Sequence, residues 1–482
     1  MNAPMIWIGL PAVIGVVLFL LRGFRRLTAF LGIFLGAWLS VAAWLLPIGQ
    51  VITLGNRAFR IEDRFSILGR DLLLQNTDRA LLILVYLLLT MWLAGSLWAR
   101  PNKAFIPFGF VFTAILVAAQ AVEPFLYAAL LFEIGVLIAV PFLSPAGQRP
   151  GSGIFRFLTF QSLGMPFILL AGRFLAGLEA SPGESALVLR AGVLIGIGLA
   201  FLLSIVPFHS WIPTLAEESE PYITAFILFM LPAVVSVFGL GFLDRFVWLR
   251  ESEQVYVGLR LVGALMVAVG GGWMAVQKNL ARMLGYAAIA ETGISLLAIG
   301  IGTREGYLLF FWLLAVRVFS YMPWAAATSQ IRDHYQGELS LDRLWGKGHQ
   351  TPLAGITVLI GIFSLLGMPL LAGYSARFAL WQSLAAVSPG IALAALFGNL
   401  GLLVGGLRAL NALFVPFASS EGVSAPDLED VLGEGRRALV DRFFTWIIYV
   451  LWILVMLAIG FFPQIYLPWI ENLLFIFERL GA

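Results

Sequence analysis

No cysteine occurs among the 482 residues, and only three histidines do: His209, His334 and His349. The first absence excludes disulfides, cysteine-ligated iron–sulfur clusters and thiol chemistry. The second argues against a bis-histidine haem inside a membrane, because His334 and His349 share one polar loop. Charge is scarce as well. Asp, Glu, Lys and Arg make up 12% of the chain against 60% hydrophobic residues, and the mean hydropathy is +0.94. A soluble domain of this length needs far more polar surface. The net charge of +3 sits mainly in loops, where basic residues set orientation, so it implies no nucleic-acid partner.

What the chain has instead is apolar runs of about 17–25 residues, long enough to cross a bilayer core. The weak alternation of barrel strands is absent. The fold class is therefore an all-α integral membrane protein of about fourteen transmembrane helices, with lipid as its surroundings. The expected spans are 4–21, 27–47, 79–98, 104–121, 123–143, 155–173, 188–207, 221–242, 256–276, 281–301, 305–327, 353–373, 389–415 and 443–462. Together they make a single membrane domain over 1–482. The closing stretch "PWIENLLFIFERLGA" predicts an amphipathic interfacial helix within 463–482. In "MNAPMIWIGLPAVIGVVLFLLRGFRR" the charges follow the apolar run, so this segment reads as a retained helix and not as a signal peptide.

Alternate loops carry Arg22, Arg25 and Arg26; Arg100 and Lys103; Arg149; Lys278; Arg332, Arg343 and Lys347; and Arg436, Arg437 and Arg442. The positive-inside rule puts this set in the cytoplasm and both termini outside. "GNRAFRIEDRF" predicts a small external hairpin around its Gly-Asn pair. Two long polar loops, "SQIRDHYQGELSLDRLWGKGHQ" and "SSEGVSAPDLEDVLGEGRRALVDR", fall on the cytoplasmic side. The second is acidic then basic and suits a solvated connector or a partner contact.

Charged side chains at membrane depth are costly, so each needs an account. Glu133 lies mid-helix with no base nearby in sequence. A lone buried carboxyl is suited to shuttling a proton; the plainer reading is an acid kept for packing. Glu123, ten residues earlier, is interfacial. Glu291 and Arg317 lie on consecutive antiparallel helices, where an ion pair is geometrically allowed, as a structural pair or as a relay element. Lys278 and Arg282 stand at a helix start, as orientation charges that snorkel. Arg408 falls deep in a long helix, with Asn399 before it, and Arg377 follows a Gly-Pro break.

The breaks matter as much as the charges. "SIVPFHSWIP", near 207, and "IFSLLGMPLLAGYSARF", near 368, each put proline inside a membrane run. Proline frees backbone carbonyls that only protein or water can satisfy, and paired broken helices point to an ion or substrate path. His209, inside the first break, titrates near neutrality in its unperturbed state.

These segments resemble a known family. "VPFHSWIPTLAEESEP", "VQKNLARMLGYAAIAETG", "SLLGMPLLAGYSARF" and "LAIGFFPQIY" are similar, in order and spacing, to motifs of the antiporter-like membrane subunits of respiratory complex I. Multisubunit cation/proton antiporters and membrane-bound hydrogenases share those motifs, and the length suits the subunit N or M type. The resemblance runs from about residue 105 to 465, with an antiporter-like core over about 105–415. It implies an ion-translocating subunit of an NADH:quinone oxidoreductase-like assembly in a bacterial cytoplasmic membrane. Such a subunit has other membrane subunits as partners and no cofactor or redox centre of its own. It also implies a glutamate on the fifth helix, where Glu133 stands, and lysines on the seventh and eighth, where alignment puts Leu202 and Val234. Glu291 stands where the family often has histidine, and Arg377 replaces a lysine. Arg408 lies near the charged position of the twelfth helix.

Arginine does not release its proton in proteins, so Arg317 and Arg408 are expected to tune fields, as is Lys278 from its peripheral place at a helix start. Glu133, Glu291 and His209 are then the candidate proton relay. Three functions compete: an ion-translocating subunit, a degenerate non-pumping subunit of such a complex or of an inorganic-carbon or cation transport assembly, and a stand-alone solute transporter. The resemblance argues against the third.

Overall fold

The computed structural model describes all residues except 1, 55–56, 68, 145–146, 148, 181–184, 416–435 and 481–482. Helix covers every apolar run. In chain order the helices are α1 (Leu10–Leu20, preceded by a π-turn at Met5–Gly9), α2 (Arg25–Leu45), α3 (Arg79–Ala99), α4 (Phe105–Ala121), α5 (Ala128–Leu143), α6 (Ser152–Ser162) and α7 (Gly164–Ala180). Next come α8 (Ser185–Leu202), α9 (Trp211–Glu218), α10 (Pro221–Arg245), α11 (Val247–Arg250), α12 (Glu253–Val276), α13 (Leu280–Ile299) and α14 (Arg304–His334). The last are α15 (Pro352–Leu366), α16 (Tyr374–Val387), α17 (Pro389–Phe414), α18 (Arg436–Phe461) and α19 (Leu467–Glu471). Among the described residues nine helices are long and apolar enough to cross a membrane, and shorter apolar helices cover the remaining runs.

Hydropathy alone does not decide each helix's place: α13 and α14, which carry Glu291 and Arg317, are less apolar than α17 and yet more buried. In α10, α13 and α14 the apolar window is 83%, 89% and 78% buried, against 33% in α17. The first three form the centre. Small residues let outer helices approach one another closely: a Cβ at Gly271 of α12 or Gly398 of α17 would overlap the other helix's backbone. Caps fix the starts. Asn279 Oδ1 accepts from the amides of Ala281 and Arg282 at the head of α13, and Thr303 Oγ1 accepts from Gly306 at the head of α14.

Between α2 and α3 the chain forms two antiparallel hairpins. β1 (Val51–Leu54) pairs with β2 (Arg57–Arg60), Val51 opposite Arg60. β3 (Arg64–Ile67) pairs with β4 (Arg70–Leu73), and β5 (Val122–Glu123) adds a third strand. The Gly-Asn hairpin expected from the sequence is the first of these. The second turns at Gly69, whose φ of +73° only glycine adopts without strain.

Two further expectations change, and a third falls largely outside the described residues. The run 155–173 is two helices, α6 and α7, meeting at Leu163. The closing stretch is not one continuous helix. It is α19 flanked by two 3₁₀ turns, and it folds back so that Ile470, Leu473 and Leu474 are fully buried. The charged connector expected over 419–442 lies largely outside the described residues, and α18 starts at Arg436.

Both termini lie on one face. The Ala3 amide donates to Glu62 O, and the amides of Glu478, Arg479 and Leu480 donate to the Asp244 carboxylate at the end of α10. The basic loops gather on the other face, where Arg25 donates to Pro101 O and Arg332 to Ser219 O.

Candidate functional site: two broken helices and two buried acids

Both breaks use one backbone device. α8 stops at Leu202, and Ser204 then takes a left-handed φ of +54°. The Ile205 amide donates back to Ala200 O at 2.8 Å, and Pro207 follows. α15 stops at Leu366, Gly367 takes φ +79°, the Met368 amide donates to Phe363 O at 3.0 Å, and Pro369 follows. A left-handed residue closed by a six-to-one hydrogen bond is the common helix stop, and the proline prevents resumption. Ser204 adopts this conformation without being glycine, at a cost of about 1 kcal/mol.

The side chains in the first break form a polar line. Buried Ser204 Oγ accepts from Gln161 Nε2 and from Trp211 Nε1, each at 3.1 Å. Next to Gln161, Ser162 Oγ donates to Glu133 Oε1 at 2.7 Å. Glu133 Oε2 is buried and has no hydrogen-bond partner among the described residues. A cavity of about 10 Å³, near the lower limit for one water, is bounded by Gln161, Ser204, Trp211, Pro232 and Thr292. Thr292, on α13, forms part of its wall.

Beyond the break, each of the three glutamates after Pro213 fastens α9 to another element. Glu217 pairs with Arg282 at 2.9 Å. Glu218 accepts from Ser152 Oγ and the Gly153 amide, satisfying orphan donors at the start of α6. Glu220 accepts from the Asn102 amide at 3.1 Å. Burial pushes the Glu220 carboxyl up to about 7, offset in part by that hydrogen bond and by Arg332 and Arg25.

The second break carries Arg377, and with it a closed cluster. Glu291 is 3% exposed. Its Oε2 meets Arg317 Nε at 2.7 Å, and its Oε1 meets Arg377 Nη2. Arg317 Nη2 also donates to Glu291 O at 2.9 Å and to Ser295 Oγ at 2.8 Å. The Glu291–Arg317 pair allowed by the sequence is present. Arg377, expected only as a residue after the Gly-Pro break, joins Glu291 because it sits in the first turn of α16, eight residues beyond Pro369. Two guanidiniums face one carboxylate, so the cluster holds a fixed positive charge.

The other expected site residues lie elsewhere. His209 is half-buried, its Nδ1 has no partner among the described residues, and no hydrogen bond joins it to Glu133 or Glu291. Arg408 does not face Glu291. Its Nη1 donates to Gln277 O at 2.9 Å and to Ala275 O, capping the end of α12. Lys278 is exposed and lies 4.0 Å from Asp342. All three lysines of the chain, Lys103, Lys278 and Lys347, are exposed. Leu202 and Val234 are buried among apolar side chains. Gln161, Ser162, Ser204 and Thr292 went unnoticed in the sequence because lone hydroxyls and amides in apolar runs carry no charge to flag them.

A family model described as NADH:quinone oxidoreductase/Mrp antiporter, transmembrane, matches residues 153–402. NADH-quinone oxidoreductase subunit N of Rhodospirillum rubrum is 29% identical over 269 residues, 53% of this chain and 54% of that one. NADH-quinone oxidoreductase subunit 14 of Thermus thermophilus is 28% identical over 249 residues, 50% of this chain and 55% of that one. The chain thus spans about half the length of these curated relatives. In fold it is similar to a chain of respiratory complex I from Thermus thermophilus, with TM-score 0.73, 20% identity and 99% of both chains covered. It is also similar to a chain of the archaeal membrane-bound sulfane sulfur reductase, with TM-score 0.75, 16% identity and 100% and 98% covered. The family model covers more than half of the chain, in the region that holds both breaks and Glu291, and the protein belongs to the NADH:quinone oxidoreductase/Mrp antiporter family of membrane proteins.

Proposed function

We propose that this chain is a proton-translocating subunit of a complex I-like assembly, driven by redox chemistry in partner subunits. The observation that carries the reading is Glu133: a carboxyl midway along a membrane helix, with one oxygen held by Ser162 and the other buried and free. Such a group can take and release a proton without dismantling an ion pair. Gln161, Ser204 and the small cavity beside Thr292 extend it into the first break. Exposed apolar residues such as Leu393 and Phe397 on α17 suit lipid or neighbouring membrane subunits. The basic face is assigned to the cytoplasm and both termini to the outside, in a bacterial cytoplasmic membrane. Replacing Glu133→Gln in the intact assembly tests the role. Proton uptake into vesicles is expected to fall at least tenfold per electron transferred, and unchanged uptake would remove Glu133 from the path.

A second reading is favoured by the Glu291 cluster. Two arginines hold that acid, and Leu202 and Val234 stand where the family has lysines. A non-pumping structural subunit fits these departures. It predicts that Glu291→Gln disturbs assembly while the proton count per electron stays fixed, and that Glu133→Gln changes neither.

A further inference from the structure

On the face that holds both termini, a polar vestibule of about 480 Å³ opens between the start of α3, the end of α10 and the C-terminal segment. Beneath it lies an apolar chamber of about 30 Å³, room for one or two waters, walled by α3, α4 and α10. Asp78, Gln120 and Val237 line both spaces and so form the neck between them. Val234 of α10 also lines the chamber.

The charges of the vestibule are Asp78, Glu123, Asp244, Arg245, Glu478 and Arg479, four acids against two arginines. Most are already engaged. Glu123 pairs with Arg245 at 2.7 Å, and Asp244 accepts three backbone amides from the C-terminal segment. Asp78 differs in standing at the neck. One of its oxygens, Oδ2, accepts the Gln75 amide at 2.7 Å, and no ion pair involving Asp78 is found among the described residues. Gln120 Nε2 is committed to Val234 O at 3.0 Å, which fixes the opposite wall. A surplus of acids draws cations into such a mouth, and an unpaired carboxyl at a constriction is placed to exchange protons with the water on either side.

We propose that this vestibule and chamber are a water-filled port on the terminus-bearing face, with Asp78 as the proton-exchange group at its neck. The use of the port in transport rests on the translocation reading above. Its existence does not.

The absence of native cysteine makes the port directly testable in the intact assembly. Thr77→Cys places a thiol in the vestibule, Val117→Cys places one in the chamber only, and Val235→Cys places one in a fully buried position lining neither space. From the terminus-bearing face, a bulky membrane-impermeant thiol reagent is expected to label Thr77→Cys and neither of the others. Silver ion is expected to label Val117→Cys at least tenfold faster than Val235→Cys. Adding Asp78→Asn should slow the silver reaction at Val117→Cys about tenfold and leave Thr77→Cys labelling intact, which also reports that the fold survives. Asp78→Glu should restore it. Equal silver rates at 117 and 235, labelling at 117 from the opposite face, or indifference to Asp78→Asn would each overturn the port. If the labelling pattern holds while Glu133→Gln leaves transport unchanged, the port stands and the translocation reading falls.

Discussion

The two broken helices share a backbone and differ in contents. Ser204 and Gly367 close their helices with the same left-handed stop and the same six-to-one hydrogen bond, and a proline follows each. Around Ser204 the partners are neutral: a glutamine, a tryptophan, a serine and, at the end of the line, an acid with one free oxygen. Past Gly367 the partner is Arg377, which joins Arg317 in holding Glu291. A helix break therefore supplies polar backbone at depth, and the side chains decide whether it is a place where a proton can move or a place where charge is fixed. Arginine keeps its proton at any working pH, so the second break is a fixed-charge site.

Breaking the charged half should have the largest effect. Glu291→Gln leaves two buried guanidiniums without a carboxylate, and Arg377→Leu leaves Arg317 alone with it. Removing one partner of a buried ion cluster costs about 3–5 kcal/mol. Thermal unfolding in detergent should show that loss for Glu291→Gln and a smaller one for Arg377→Leu, which leaves Glu291 and Arg317 as a balanced pair. A triple exchange, Glu291→Leu with Arg317→Met and Arg377→Leu, should recover much of it, since well-packed apolar side chains replace buried ions at little cost. A loss below about 1 kcal/mol for Glu291→Gln would mean that the cluster is wet and loosely held.

The clasp that follows the first break should respond to pH. With Glu220 raised to about 7, the folded chain holds a proton that the unfolded chain releases near 4.5. Stability therefore falls as pH rises through that window and levels off above it. Glu220→Gln should flatten the fall and gain on the order of 3 kcal/mol at pH 8, with little change at pH 4. A wild-type stability that is flat from pH 5 to 8 would rule out a buried, protonated Glu220.

The neutral half should lose less. Ser204→Ala strands Trp211 Nε1 and Gln161 Nε2 in a buried site, for about 1–3 kcal/mol. Ser204→Gly relieves the left-handed backbone while losing the same hydrogen bonds, so it should be about 1 kcal/mol milder than the alanine change. Equal losses would show that the serine backbone carries no strain.

The sequence made the helices and both breaks legible because apolar length and proline are local signals. Glu133, Glu291 and Arg317 were legible for the same reason: a charge in an apolar run stands out. Their partners were not. Ser162, Ser204 and Thr292 are ordinary residues of membrane helices until the fold brings them to an acid. Arg377 lies eighty-six residues from Glu291, a distance that pattern reading does not span. The misreadings have the same origin. Arg408 looks deep along α17, yet its guanidinium reaches the end of α12, because a long side chain serves whichever carbonyls lie open beside it. The closing stretch reads as one helix by composition, yet it is a short helix between two 3₁₀ turns, and Asp244 holds three amides that follow them.

The smallest effect belongs to Lys278. Its ammonium is 4.0 Å from Asp342, and both side chains are more than two-thirds exposed. Exposed pairs of this kind contribute about 0–1 kcal/mol, and salt screens them. Lys278→Ala should therefore shift unfolding by less than about 0.5 kcal/mol and leave proton uptake unchanged. The null result matters because all three lysines sit at the surface, whereas the family resemblance led to lysines being expected inside. If Lys278→Ala stopped uptake while the fold survived, a surface lysine would be feeding the proposed path, and the division between a neutral break and a charged, fixed one would have to be redrawn around the loop that joins α12 to α13.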